Sequence, residues 1–103
     1  MLRIYISGPM TGKPDLNFPA FHAAAAFIRR EGVEVVNPAE LNLDPGLTWE
    51  QCLRTDLMHL LSCQAIAMLP GWQLSRGARL EHHVAEQLGL NVITLPASLF
   101  EPA

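Results

Sequence analysis

Four short apolar runs, each cut off by a polar residue or a Gly/Pro break and spaced a helix apart, set the limits on what this chain can fold into. They are Leu2–Ser7, ended by Gly8-Pro9; Val33–Asn37, ended by Pro38; Ala65–Leu69, ended by Pro70-Gly71; and Asn91–Leu95. Runs this short and this nearly continuous in apolar character suit strands buried on both faces, the situation of a parallel sheet. Parallel neighbours need long crossover connections, and the stretches between these runs carry helical periodicity.

Phe21, Ala24, Ala25 and Ile28 recur at helical spacing between a start signal, Asn17 with Pro19, and a stop signal, Gly32. Thr48 with Gln51 has the capping-box signature for a second helix running to about Ser62, with Leu53, Leu57, Leu60 and Leu61 along one side. Ser75 can cap a third helix that continues through Leu88 to Gly89. The order βαβαβαβ predicts an α/β fold: a small doubly wound parallel sheet of four or five strands with helices on both faces, of the Rossmann or flavodoxin type. With 103 residues, 50% hydrophobic and 17% charged, the chain can bury one such core, so residues 1–103 read as a single domain. Residues 96–103 form a Pro-containing tail, expected to be mobile or to dock on another subunit. Ligands of such sheets bind beyond the carboxyl ends of the strands, here Ser7-Gly8, Asn37-Pro38 and Leu69-Pro70.

Composition removes several functional classes. Seven basic residues against ten acidic ones leave a formal net charge of −3, without the basic footprint of a protein that binds a nucleic acid polymer. No apolar run approaches the roughly 18 residues of a membrane span, and the first run breaks too soon for a signal peptide. The expectation is a cytoplasmic protein with no membrane contact and a small-molecule ligand. Cys52 and Cys63 fall on one predicted helix, about 16 Å apart, too far to bridge. With His22, His59, His82 and His83 they offer no metal-ligand spacing, so neither a metal nor a cofactor is expected.

Two carboxylates break the apolar patterning. Asp56 lies three residues after Leu53 and four before Leu60, beside the apolar stripe, where an acid is costly unless it is paired or faces a cavity. A rotation of one residue, about 100°, would instead turn it to solvent. Glu81 stands one turn after Gly77 and one turn before Val84 and Ala85, early in the third helix and close to a strand end. There the positive end of the helix dipole favours the ionised form that a nucleophile requires; a glutamate placed for the dipole alone is the other reading.

Gly8-Pro9-Met10-Thr11-Gly12-Lys13 follows the first strand, where glycines admit a ligand close to backbone and free N–H groups can bind an anion. The loop is one residue short of a phosphate-binding Walker loop, and Pro14 stands where that motif needs Ser or Thr. Trp72, between the third strand and third helix, either stacks on a flat ligand or covers the core. Trp49 reads as packing, and His82 and His83, adjacent on a helix, cannot share one face.

Tyr5-Ile6-Ser7-Gly8-Pro9-Met10-Thr11-Gly12, Asp56-Leu57 and Ser75-Arg76-Gly77-Ala78-Arg79-Leu80-Glu81 together resemble the nucleoside 2-deoxyribosyltransferase superfamily. Within it the sequence is most similar to a branch of small bacterial domains of unassigned function, which share Asn37-Pro38-Ala39-Glu40 and Pro70-Gly71-Trp72. The resemblance implies that Glu81, closing the G-x-x-x-E motif, is the nucleophile at an anomeric carbon. It implies that Asp56 assists the leaving base and that Tyr5 sits near the reacting sugar. Ser7, Gly8, Pro9, Met10, Thr11, Gly12, Trp72, Ser75 and Gly77 are the corresponding substrate-binding candidates.

The implied activity is N-glycosidic bond cleavage in a nucleoside or nucleoside 5'-monophosphate, as a (deoxy)ribosyltransferase or an N-hydrolase, by retaining double displacement. A non-catalytic nucleotide-binding or sensing module is the alternative. Ser75 replaces the aspartate of the deoxyribosyltransferases and matches a serine that contacts a 5'-phosphate in the N-hydrolases. Pro9 and Thr11 replace the serine and arginine of the hydrolase loop, leaving Lys13 to compensate. Gln64 stands in place of an aspartate. Relatives often complete the pocket from a neighbouring subunit, which implies a homo-oligomer, a dimer or larger.

Overall fold

A computed structural model describes residues 2–100. Strands β1 (Arg3–Ser7), β2 (Glu34–Val36), β3 (Ala65–Met68) and β4 (Asn91–Thr94) alternate with helices α1 (Phe18–Arg29), α2 (Trp49–Leu60) and α3 (Arg76–Gln87). The strands form one sheet in the order β2-β1-β3-β4, every pair parallel. This is the doubly wound α/β arrangement that the spacing of the apolar runs predicts, in its four-strand form.

Period-two alternation along β1 sorts its side chains between two cores. Ile4 and Ile6 join Phe21, Ala24, Ala25 and Ile28 of α1 on one face, together with Ala65, Ala67 and Leu69. Tyr5 joins Ile66, Met68, Leu60, Ala78 and Ala85 on the other, under α2 and α3. Small residues on β3 and on the inner side of α1 let the helix sit close to the sheet. The chain leaves β1 toward β2 but leaves β3 toward β4, so the sheet order reverses between β1 and β3. Beyond their carboxyl ends lies the crevice such sheets use for ligands.

Gly8 makes that crevice possible. A Cβ there would stand 2.6 Å from Cβ of Leu69, so only glycine lets the chain leaving β1 cross the end of β3. Thr48 caps α2 with the expected capping box: its side chain accepts from Gln51 N–H, and Gln51 returns to Thr48 N–H at 2.8 Å. Ser75 likewise caps α3, accepting from Ala78 N–H at 3.2 Å.

Several expectations need correction. Strand β4 is exposed along its whole length, because an edge strand without an outer neighbour keeps one side open. The described part of the tail, Ala97–Phe100, makes a single turn that lays Leu99 and Phe100 against the α1 core, while residues 101–103 fall outside the described residues. Asn17 precedes α1 but its side chain donates to the Pro9 carbonyl at 2.9 Å and caps nothing, because its own backbone is left-handed, as are those of Asp15 and Leu16. Helix α2 ends at Leu60, and Cys63 lies past it, buried; both cysteines are free thiols. Gln64 accepts from Arg3 N–H at 2.8 Å, which gives that residue a place in strand pairing. In the Asn37–Glu40 segment, Asn37 accepts from Ala39 N–H at 3.0 Å, and Glu40 pairs with Arg29 at 2.8 Å. No helix among the described residues is long and apolar enough to cross a membrane.

Candidate active site

The pleat that buries Tyr5 turns Ser7 to the same side of the sheet, and both meet Glu81 arriving from α3. The Tyr5 hydroxyl donates to Oε2 of Glu81, and the Ser7 hydroxyl donates to Oε1 at 2.7 Å. Glu81 is only 5% exposed and makes no ion pair among the described residues. A buried carboxylate without a cation resists ionisation. Burial accordingly pushes Glu81 up to about 7, against the opposing pull of the Tyr5 and Ser7 hydrogen bonds, with Asp56 adding a smaller upward push. The helix dipole does not hold Glu81 ionised, as its position near the start of α3 suggested: it is the sixth residue of the helix, beyond the first turn where the dipole acts. Burial also raises Tyr5 well above its usual value, chiefly by desolvation and then by the Glu81 charge.

Asp56 comes from α2 and lines, together with Glu81, a cavity of about 310 Å³, so of its two readings the cavity-facing one holds. Its Oδ1 accepts from Asn42 Nδ2 at 2.7 Å. Desolvation lifts it to about 6, opposed by the Asn42 hydrogen bond and by His59. Two carboxyls in one cavity, both moved toward neutrality, form the acid and base arrangement that proton transfer near pH 7 requires. Tyr5, Gly8, Met10, Thr11, Ser75 and Gly77 complete the walls with apolar side chains from Leu16, Phe21, Leu47 and Leu53.

A second, larger chamber of about 610 Å³ adjoins the first and shares Thr11, Trp49, Ser75 and Gly77 with it. Lys13 and Arg76 line this larger chamber, and no acidic side chain among the described residues does. With Pro9 also in its wall, the two chambers together take in nearly all of the loop after β1. Gly12 is in neither wall; its φ of +82° serves the turn.

A family model described as a domain of unknown function, DUF4406, matches residues 2–94. The chain belongs to the DUF4406 family. No curated protein matches it. The match spans both carboxylates and every other residue of the two chambers of this DUF4406 domain.

Two aromatic assignments in the DUF4406 domain change places. Trp72 lines neither chamber; it stacks on His82 with ring centroids 4.2 Å apart and covers the α3 side of the core. Trp49, read from sequence as packing, forms part of both chamber walls, and the Arg76 guanidinium lies 4.1 Å over its ring. Trp49, Cys52, Leu53 and Asp56 follow helical spacing, so once Asp56 faces the cavity the others must flank it. Asn42 gave no signal, since it lies in an irregular connection whose path depends on the fold. Among the described residues no cluster of three or more His, Cys, Asp or Glu is placed to hold a metal ion.

Proposed function

We propose that this protein cleaves the N-glycosidic bond of a nucleoside or nucleoside 5'-monophosphate, passing the sugar to another base or to water. The observation that carries the reading is the Glu81 carboxylate, held through both oxygens by Tyr5 and Ser7 in a cavity that Asp56 also lines. In the first displacement a Glu81 oxygen bonds to the anomeric carbon as the carbon–nitrogen bond breaks, and protonated Asp56 gives its proton to the departing base. In the second, Asp56 takes a proton from water or an acceptor base, which attacks the same carbon and releases Glu81. Each Glu81 oxygen accepts one hydrogen bond and keeps a lone pair for attack.

Lys13 and Arg76 in the larger chamber support a monophosphate over a free nucleoside, because they place positive charge beside the reacting cavity. The acid must hold a proton while the nucleophile has lost its own. With Asp56 at about 6 and Glu81 at about 7, activity should follow a bell with its maximum between those values. Burial that keeps Glu81 partly protonated at neutral pH is also compatible with a nucleotide-binding module without turnover.

Incubation with deoxynucleosides, ribonucleosides and their 5'-monophosphates, with and without a free acceptor base, tests the reading. Release of base without acceptor means hydrolase, and exchanged base means transferase. Saturable binding without product leaves the binding module. Glu81→Ala should abolish turnover; wild-type rates in that variant would remove Glu81 as nucleophile.

A further inference from the structure

We propose that Asn42 is the positioning residue for the acid: its side-chain amide holds one oxygen of Asp56 and so confines the carboxyl proton to the other. The inference rests on the glycosidic reading above. Asn42 Nδ2 donates to Asp56 Oδ1 at 2.7 Å. An amide NH₂ has hydrogens to give and no lone pair to accept with, so a proton on Oδ1 facing it would be repelled. Protonated Asp56 therefore carries its hydrogen on Oδ2.

That oxygen has no hydrogen-bond partner among the described residues, and no fully buried side-chain oxygen is left unpartnered, so Oδ2 keeps accessible surface on a residue that lines the cavity. A general acid is useful only when its proton sits on the oxygen nearest the leaving group. Asn42 secures that with a single contact. The segment that delivers it is anchored two residues earlier, where Arg29 clamps both oxygens of Glu40 at 2.8 and 3.2 Å. The other titratable groups acting on or with Asp56 are Glu81 of α3, Tyr5 of β1, and Cys52 and His59 of its own helix. None of them hydrogen-bonds to it among the described residues, so Asn42 alone discriminates between its two oxygens.

The test follows the Asp56 carboxyl carbon by NMR across pH in the wild-type protein, Asn42→Leu and Asn42→Ala. Loss of the donor removes a hydrogen bond that favours the ionised form, so the Asp56 midpoint should rise by about one pH unit in both variants. On a nucleotide that the wild type cleaves, kcat should fall about tenfold or more with KM within about twofold, and the pH of maximum activity should move upward. In the wild type itself, the Asn42 side-chain NH₂ resonances should shift with the Asp56 midpoint, a readout that requires no variant to fold. An Asp56 midpoint unchanged in the folded variants, or Asn42 resonances indifferent to that titration, would overturn the proposal. A wild-type protein that cleaves nothing overturns the reaction, while the titration still decides the hydrogen bond.

Discussion

Replacing Glu81 by glutamine should change how stability depends on pH, and by an amount the structure fixes. Burial raises this carboxyl from 4.5 to about 7, so between those values the folded chain holds a proton that the unfolded chain has released. Stability from this group is therefore fully present below about 4.5, declines as pH rises through 7, and is flat above. At about 1.4 kcal/mol per pKa unit the decline comes to about 3 kcal/mol. Glutamine has nothing to ionise and keeps the shape and an acceptor for Tyr5 or Ser7. Glu81→Gln should match the wild type near pH 4.5 and exceed it by about 3 kcal/mol at pH 8, roughly 10 °C or more in Tm for a domain of this size. Asp56, raised to about 6, adds a decline of the same sign to both proteins and cancels in the comparison. Glu40, held below its usual range by Arg29, works in the opposite sense and at lower pH. Denaturant unfolding at half-unit pH intervals reads the difference directly. Parallel curves for the two proteins between pH 4.5 and 8 would refute the claim that Glu81 is desolvated and without a cation.

Three further outcomes are expected. Gly8→Ala should destabilise the fold by about 1–3 kcal/mol, because the new methyl meets Leu69 Cβ at 2.6 Å; Leu69→Ala in the same chain should recover part of the loss, as a double-mutant unfolding cycle would measure. Trp49 emission, isolated in Trp72→Phe, should change on adding a nucleoside monophosphate while Trp72 emission in Trp49→Phe stays constant, since only Trp49 lines the chambers; the reverse result would remove ligand from this crevice. The proposed homo-oligomer should cover Met58 and Leu61 of the α2 end, which stand 73% and 59% exposed, so light scattering should give at least a dimer and Met58→Glu should lower the mass. A wild-type monomer at high concentration would count against a shared site.

The strand and helix order was legible because each run had both a period and a terminator: Ile4 and Ile6 against Tyr5 and Ser7, then Gly8-Pro9; Thr48 with Gln51; Ser75 before Gly77. Glu81 and Asp56 were legible for the opposite reason, as acids at positions where packing wants apolar groups. What sequence did not reveal depends on contacts between distant segments. Trp49 and Trp72 are both aromatic residues at helix entrances, and only the tilt of α2 and the position of His82 decide which one meets the cavity. Asn42 sits in a connection without periodicity. Leu16, left-handed between Asp15 and Asn17, goes against the preference of its residue type, so local rules point away from this turn, yet it carries Leu16 into the cavity wall.

Because Tyr5 and Ser7 lie on a central strand hydrogen-bonded on both sides, the grip on Glu81 has no hinge of its own. Slipping β1 by one residue would carry both hydroxyls to the α1 side and put Ile4 and Ile6 against the carboxylate, so the anchoring of Glu81 fails only when the sheet itself comes apart. Amide protons of Tyr5 and Ser7 should then exchange with solvent at the rate of whole-molecule opening, making this corner of the site among the last parts of the protein to loosen.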